Sequence, residues 1–227
     1  FQSTLGILID FGIIVGQDVI DYFPLGIINS HFSLLPEWRG ADPITFSILS
    51  GQESTGVSLM LLVEKMDEGP LVAYGELPLD GTETTPALTE KLISLSDSLL
   101  QEHVPLYIDE PNTTSQETTG RAVSYSRKLT KDDSIIDWSK PATQIEREIR
   151  AFADWPKSKT TLGGIDLIIT KAHVIQSKSQ NMTPGTYTTA DSRLVVACGT
   201  DSLSIEILKP AGKKEMPIGA FLRGYQI

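Results

Sequence analysis

Asn29 and His31 stand two residues apart, where an apolar run at 25–28 gives way to a loop containing Pro36, Gly40 and Pro43. Side chains alternate faces along a strand, so the carboxamide and the imidazole share one face while Ser30 turns to the other. Enzymes of the α/β class commonly present polar groups at the carboxyl ends of their strands, which makes the pair a candidate site. A carboxylate joins it if the strand predicted over 57–63 lies beside that of 25–29, because the loop Glu64-Lys-Met-Asp-Glu-Gly69 then reaches the same edge. Asp67 is the candidate. Such a carboxylate would raise the His31 pKa and favour imidazolium, a donor to a developing oxyanion, while Asn29 supplies a second, neutral donor. That combination suits acyl transfer through a tetrahedral intermediate to an amine brought by the substrate, with no nucleophile from the protein. Each residue also has a plainer reading: a histidine in this position is more often structural, and an aspartate close before a glycine more often forms a turn. Ser33 lies in no G-x-S-x-G elbow, and neither a P-loop nor a G-x-G-x-x-G run occurs.

The elements that must position these groups have room to do so. A chain of 227 residues, 40% of them hydrophobic, supports one large or two ordinary domains. No apolar run approaches the roughly 20 residues that span a bilayer, and no basic-then-apolar leader opens the sequence. The expectation is a cytoplasmic protein without membrane contact. One cysteine, Cys198, allows no internal disulfide, and three well-separated histidines make a structural zinc site unexpected, so metal-free chemistry is predicted. The chain opens at Phe1 on a segment, 5–11, that reads as a buried parallel strand, and an N-terminal portion of the first domain is expected to be missing. Charge is unevenly divided. Three basic residues face 18 acidic ones up to Thr119, whereas 16 face 11 beyond it. A polyanion partner for the second half fits this asymmetry, although a surplus of that size is also ordinary for a solvated surface.

Strand signals at 5–10, 25–29, 57–63 and 71–77 alternate with helix signals at 17–22 and 43–49, predicting an α/β fold with a parallel or mixed sheet. Thr85-Pro86 starts a helix whose Leu88, Leu92, Leu95 and Leu99 form a core stripe. Residues 109–120 carry almost no apolar content and read as a linker, dividing the chain into domains at 1–108 and 121–227. Beyond it, an amphipathic helix over 141–152 is followed by short β runs at 165–170, 194–197 and 203–208, which suggest a small β-barrel carrying one helix.

The run Asn29-Ser-His-Phe-Ser-Leu-Leu-Pro-Glu-Trp-Arg-Gly-Ala-Asp-Pro43, with Thr55-Gly-Val and Met66-Asp-Glu-Gly69, resembles the 10-formyltetrahydrofolate-dependent formyltransferases. Tyr125-Ser-Arg-Lys-Leu129, Ile136-Asp-Trp138, Ile149-Arg-Ala-Phe152, Trp155-Pro156 and Pro210-Ala-Gly-Lys-Lys214 are similar to the C-terminal domain of the methionyl-tRNA formyltransferases. The resemblance implies a partial Rossmann-like catalytic domain followed by a small OB-like domain. It also implies transfer of a formyl group from 10-formyltetrahydrofolate to the amino group of initiator methionyl-tRNA in translation initiation. Asn29, His31 and Asp67 match the catalytic trio. Phe11, Gly12, Ile13, Ile14 and Val15, together with Val63, Glu64, Lys65 and Met66, match segments that sandwich the folate, and Ser33, Leu34, Leu35 and Pro36 match the loop shaping that site. Arg39, Arg127, Lys128, Lys131, Arg147, Arg150, Lys213 and Lys214 become candidates for tRNA phosphates. A monomer is expected for the full-length protein. Two other readings share these residues: a sugar-nucleotide or other amine formyltransferase, and a non-catalytic nucleic-acid-binding remnant.

Overall fold

The computed structural model describes residues 3–9, 12, 15–176 and 182–227. These fall into two units, Phe1–Glu83 with Ala87–Lys128, and Thr84–Pro86 with Leu129–Ile227. In the first unit, β1 (Gly6–Ile9), α1 (Gln17–Ile20), β2 (Ile27–His31) and β3 (Arg39–Gly40) precede α2 (Pro43–Ser50), β4 (Ser54–Leu61), β5 (Leu71–Pro78) and α3 (Thr85–Asp109). Strands order β1-β2-β4-β5 in one mixed sheet. β1 runs parallel to β2, and β2–β4 and β4–β5 are antiparallel.

Local sequence explains these elements. α2 starts with Pro43 in its first turn, where a missing N–H costs nothing, and ends at Gly51 in the left-handed conformation. α3 buries Leu88, Leu92, Ser96 and Leu99 at helical spacing. Ser96 Oγ lies 2.7 Å from Ser30 Oγ, so α3 covers the face of β2 opposite Asn29 and His31. β1 is an edge of the sheet, with Ile7 and Ile9 about half exposed.

Two expectations are corrected here. The strand after α2 does neighbour β2, but in the antiparallel sense: Ile28 pairs with Leu61 and His31 with Ser58. The end of β4 therefore lies opposite the start of β2, and the following loop reaches His31 by folding back, not by leaving from the same edge. Residues 109–120 are also not a free linker. Thr114 bridges Leu71 in the first unit, a 3-10 turn forms over Gln116–Thr119, and Gln116 is buried. The unit boundary falls between Lys128 and Leu129.

β6 (Tyr125–Ser126) pairs parallel with β3. In the second unit, α4 (Ala142–Ala151), β7 (Ser158–Leu162), β8 (Ile165–Ile175), β9 (Tyr187–Ala190), β10 (Arg193–Ala197), β11 (Ser202–Pro210), β12 (Met216–Pro217) and α5 (Ile218–Gly224) follow. The sheet orders β7-β8-β11-β10-β9, with β12 added on β11. Ile145 and Ile149 of α4, Leu167, Ile169, Leu194, Val196, Leu203, Ile205 and Phe221 form its core. Register shifts at 205–208 bend the β8–β11 pair, as bulges do. The expected barrel is not seen closed: among the described residues no pairing joins β7 to β9, and closure requires the edge strands to meet.

Candidate active site

His31 is the last residue of β2 and is almost completely buried, while Asn29, on the same face, is half-buried. The His31 Nε2 lies 3.0 Å from the Trp38 carbonyl. A carbonyl only accepts, so Nε2 carries the proton and donates it. On the other side of the ring, Nδ1 stands 3.9 Å from Asp67 Oδ2, an electrostatic contact too long for a direct hydrogen bond. Desolvation holds the imidazole below its ordinary value of 6.5, opposed by the Asp67 charge and the Trp38 carbonyl, which raise it. The expected imidazolium is thereby corrected: burial outweighs the carboxylate and the resting ring is neutral. A neutral ring with its proton on Nε2 leaves Nδ1 as a lone pair facing a carboxylate, so one proton can be taken up between the two groups.

Asp67 is placed by its backbone. It adopts φ +55°, a left-handed conformation that Asp tolerates better than most residues. Its Oδ2 accepts the Gly40 N–H at 2.7 Å. Gly40 itself has φ +113°, and a Cβ there would meet the Ser126 carbonyl oxygen at 2.5 Å. At Gly69, a Cβ would lie 1.7 Å from the Leu61 carbonyl oxygen, so only glycine lets the loop turn back onto β4.

The remaining candidates divide. Phe11, Ile13 and Ile14 lie outside the described residues; Gly12 is exposed and Val15 half-buried. Val63, Glu64, Lys65 and Met66 are exposed on the loop that carries Asp67. Ser33, Leu34 and Leu35 are buried, the Leu35 N–H donating to Ser58 Oγ and Leu35 packing with Met60 and Leu71. Their side chains support the loop from within. Pro36 follows a cis peptide bond.

Arg39 does not present a free guanidinium. Its Nε and Nη2 donate to Gln116 Oε1 at 3.2 and 2.7 Å, and its Nη1 lies 3.5 Å from Glu68 Oε1. The Arg127 guanidinium lies over the Phe46 ring, Arg150 is bonded to Glu146, and Arg147 is half-buried. Lys128, Lys131, Lys213 and Lys214 are exposed. Gln116 is the residue that sequence reasoning missed. Its Nε2 donates to the Asp67 and Gly69 carbonyls, both at 2.8 Å. No hydropathy signal marks a single buried amide in a polar segment. Burial pushes the Cys198 thiol up to about 11, which removes it as a thiolate nucleophile near neutral pH. No group of three or more metal-binding side chains occurs among the described residues, and none of their helices is long and apolar enough to cross a membrane.

Residues 1–104 match the family model described as "Formyl transferase", and residues 128–226 match "Formyl transferase, C-terminal domain". The chain is 39% identical to "Methionyl-tRNA formyltransferase" of Pseudoalteromonas translucida (strain TAC 125), over 98% of this chain and 70% of that protein. Among solved structures, HypX from Aquifex aeolicus in complex with tetrahydrofolic acid superposes with a TM-score of 0.68 at 16% identity, covering 96% of this chain and 38% of that one. An N-formyltransferase from Helicobacter canadensis, with folinic acid and dTDP-3-aminofucose, superposes with a TM-score of 0.67 at 18% identity, covering 91% and 71%. At these identities the two structures speak to the fold alone.

Proposed function

This chain belongs to the formyl transferase family, and we propose from that premise that it transfers a formyl group from 10-formyltetrahydrofolate to the amino group of initiator methionyl-tRNA. The observation that carries the reading is the buried His31, with Asn29 on the same strand face and the Asp67 carboxylate 3.9 Å from its Nδ1, in a chain 39% identical to a methionyl-tRNA formyltransferase. The site suits the co-substrate: the Asn29 carboxamide is a neutral N–H donor for an acyl oxygen, and the Asp67 carboxylate with His31 Nδ1 can accept one proton. When bound, the folate supplies the one-carbon acyl group that passes to the amine and leaves as the N10–H of tetrahydrofolate.

In this reading the Asn29 carboxamide stabilises negative charge on the formyl oxygen, a donor contributing on the order of 10²-fold or more to rate, while the His31 Nε2–H, held by the Trp38 carbonyl, fixes the ring with Nδ1 toward Asp67. Asp67, with His31 Nδ1 behind it, receives the proton released when the amine attacks, through a bridging water, and that proton is returned to the departing nitrogen. The exposed loop carrying Val63, Glu64, Lys65 and Met66 offers backbone groups to the edge of the pterin, and 11–15 and 33–36 complete the folate site. Residues up to Lys128 would form the catalytic domain, with Lys128 a phosphate contact at its end, and the second unit, read as an OB-like domain, would add phosphate contacts through Lys131, Lys213 and Lys214. Work in the cytoplasm as a monomer completes the proposal.

Formyl transfer is the test. The protein containing this chain should formylate methionyl-tRNA in the presence of 10-formyltetrahydrofolate and should leave an aminosugar nucleotide unmodified. Preference for the aminosugar would overturn the acceptor assignment, and binding of tRNA with no folate binding would overturn the enzymatic one.

A further inference from the structure

We propose that Gln116 is a positioning residue that holds the Asp67 carboxylate against His31 by clamping the backbone of the Asp67 loop to Arg39. The inference rests on the reading of Asp67 and His31 as reacting groups. Gln116 lies 49 residues from Asp67 in sequence, in the segment whose composition marks a linker, yet it is 4% exposed. Its amide hydrogens go to two carbonyls of one turn, those of Asp67 and Gly69, and its oxygen takes two donors from Arg39. The orientation of the amide is fixed by that environment. Rotated by half a turn, its oxygen would face two carbonyl oxygens and its nitrogen a guanidinium, so every contact would become repulsive.

Arg39 closes the clamp. Its Nη1 reaches Glu68 between the two clamped carbonyls, and the next residue, Gly40, gives its N–H to Asp67 Oδ2. The Asp67 carboxylate is therefore aimed by its neighbour Gly40 and its own backbone is held by Gln116, with Arg39 joining the two. Asp67 occupies a positive φ, where a loosened turn would relax toward the commoner negative φ and swing the carboxylate away from the imidazole. A burial of this kind also requires full satisfaction of the amide, since an unpaired buried donor is costly. Gln116 meets that requirement only while the Asp67 loop is in place.

The substitution Gln116→Glu tests the clamp. Glutamate keeps the size and the Arg39 contact but presents an oxygen where two carbonyls need donors. We expect kcat for formyl transfer to fall about tenfold to a hundredfold, as reacting groups displaced by about 1 Å do. The folate KM should stay within about threefold, the pattern of an interaction used in the transition state. Two nuclear magnetic resonance signals read the geometry directly: the Gly40 amide proton should move upfield as it loses the carboxylate, and the His31 ring should titrate lower than in the parent. Should Gln116→Glu fail to fold, Arg39→Lys leaves the carboxamide in place, loosens its orientation and is read by the same two signals. Unmoved Gly40 and His31 signals would overturn the proposal. A parent protein with no formyl transfer would instead contradict the functional reading, and the two signals would still decide the role of Gln116.

Discussion

At the scale of residues, the account depends on a histidine whose burial wins over its carboxylate neighbour. The His31 ring should titrate below 6.5, measured by two-dimensional nuclear magnetic resonance of the imidazole. Because its folded value lies below that of the unfolded chain, the unfolded state binds more protons as the pH falls past 6.5. Stability contributed by the neutral ring is thus present above that pH and is lost on acidification toward the folded value. Compared with His31→Asn, the parent should lose stability more steeply as the pH falls below 6.5, in urea unfolding followed by tryptophan fluorescence. Equal slopes would mean that the ring is not protected from protonation. A neutral His31 also changes the chemistry inferred from sequence: its one N–H is held by the Trp38 carbonyl and it offers a vacant Nδ1 beside Asp67, instead of a standing positive charge.

At the scale of elements, Gly40 and Gly69 let β3 and the Asp67 loop meet. Gly40→Ala should destabilise the protein by on the order of 1–3 kcal/mol, because it combines a positive φ with a Cβ 2.5 Å from the Ser126 carbonyl oxygen. A lowered urea midpoint checks this, and a midpoint equal to the parent's would show that β3 and β6 shift freely. In the second unit, Ile145→Ala should cost about 2–5 kcal/mol, since Ile145 is fully buried in the core that α4 makes with the sheet.

These elements also show what a sequence can and cannot disclose. Asn29 and His31 were legible because strand alternation is a local rule, and the α3 stripe because helical spacing is too. The direction of β4 was not, because antiparallel and parallel pairing bury the same residues and differ only in which end of the strand the loop leaves. Gln116 was hidden by its polar surroundings: Asn112, Thr113, Thr114 and Ser115 precede it, and only tertiary contacts make one amide structural. Arg39 was a phosphate candidate through the resemblance alone, and its bonds to Gln116 and contact with Glu68 were not legible because those partners come from distant or neighbouring polar positions with no pattern of their own. Closure of the barrel was not legible, because several short strands in succession fit an open sheet as well as a closed one.

For the whole molecule, the separation of charge along the chain sets the expectation for its partner. If the second unit meets tRNA phosphates through exposed lysines, Lys213→Ala and Lys214→Ala should each weaken binding at low salt and each lessen the slope of log K against log salt by about 1. Filter binding across a salt series reads that slope. An unchanged slope would remove these lysines from the interface. Loss of tRNA affinity from these variants should leave folate affinity untouched, because the folate site is proposed to lie in the first unit. The most direct test of the central claim is single-turnover formyl transfer from 10-formyltetrahydrofolate to methionyl-tRNA by the protein containing this chain and by its His31→Ala variant, with folate affinity measured alongside. The account predicts a loss of about 10² or more in rate at nearly unchanged folate affinity. Parent-like turnover in His31→Ala would contradict it.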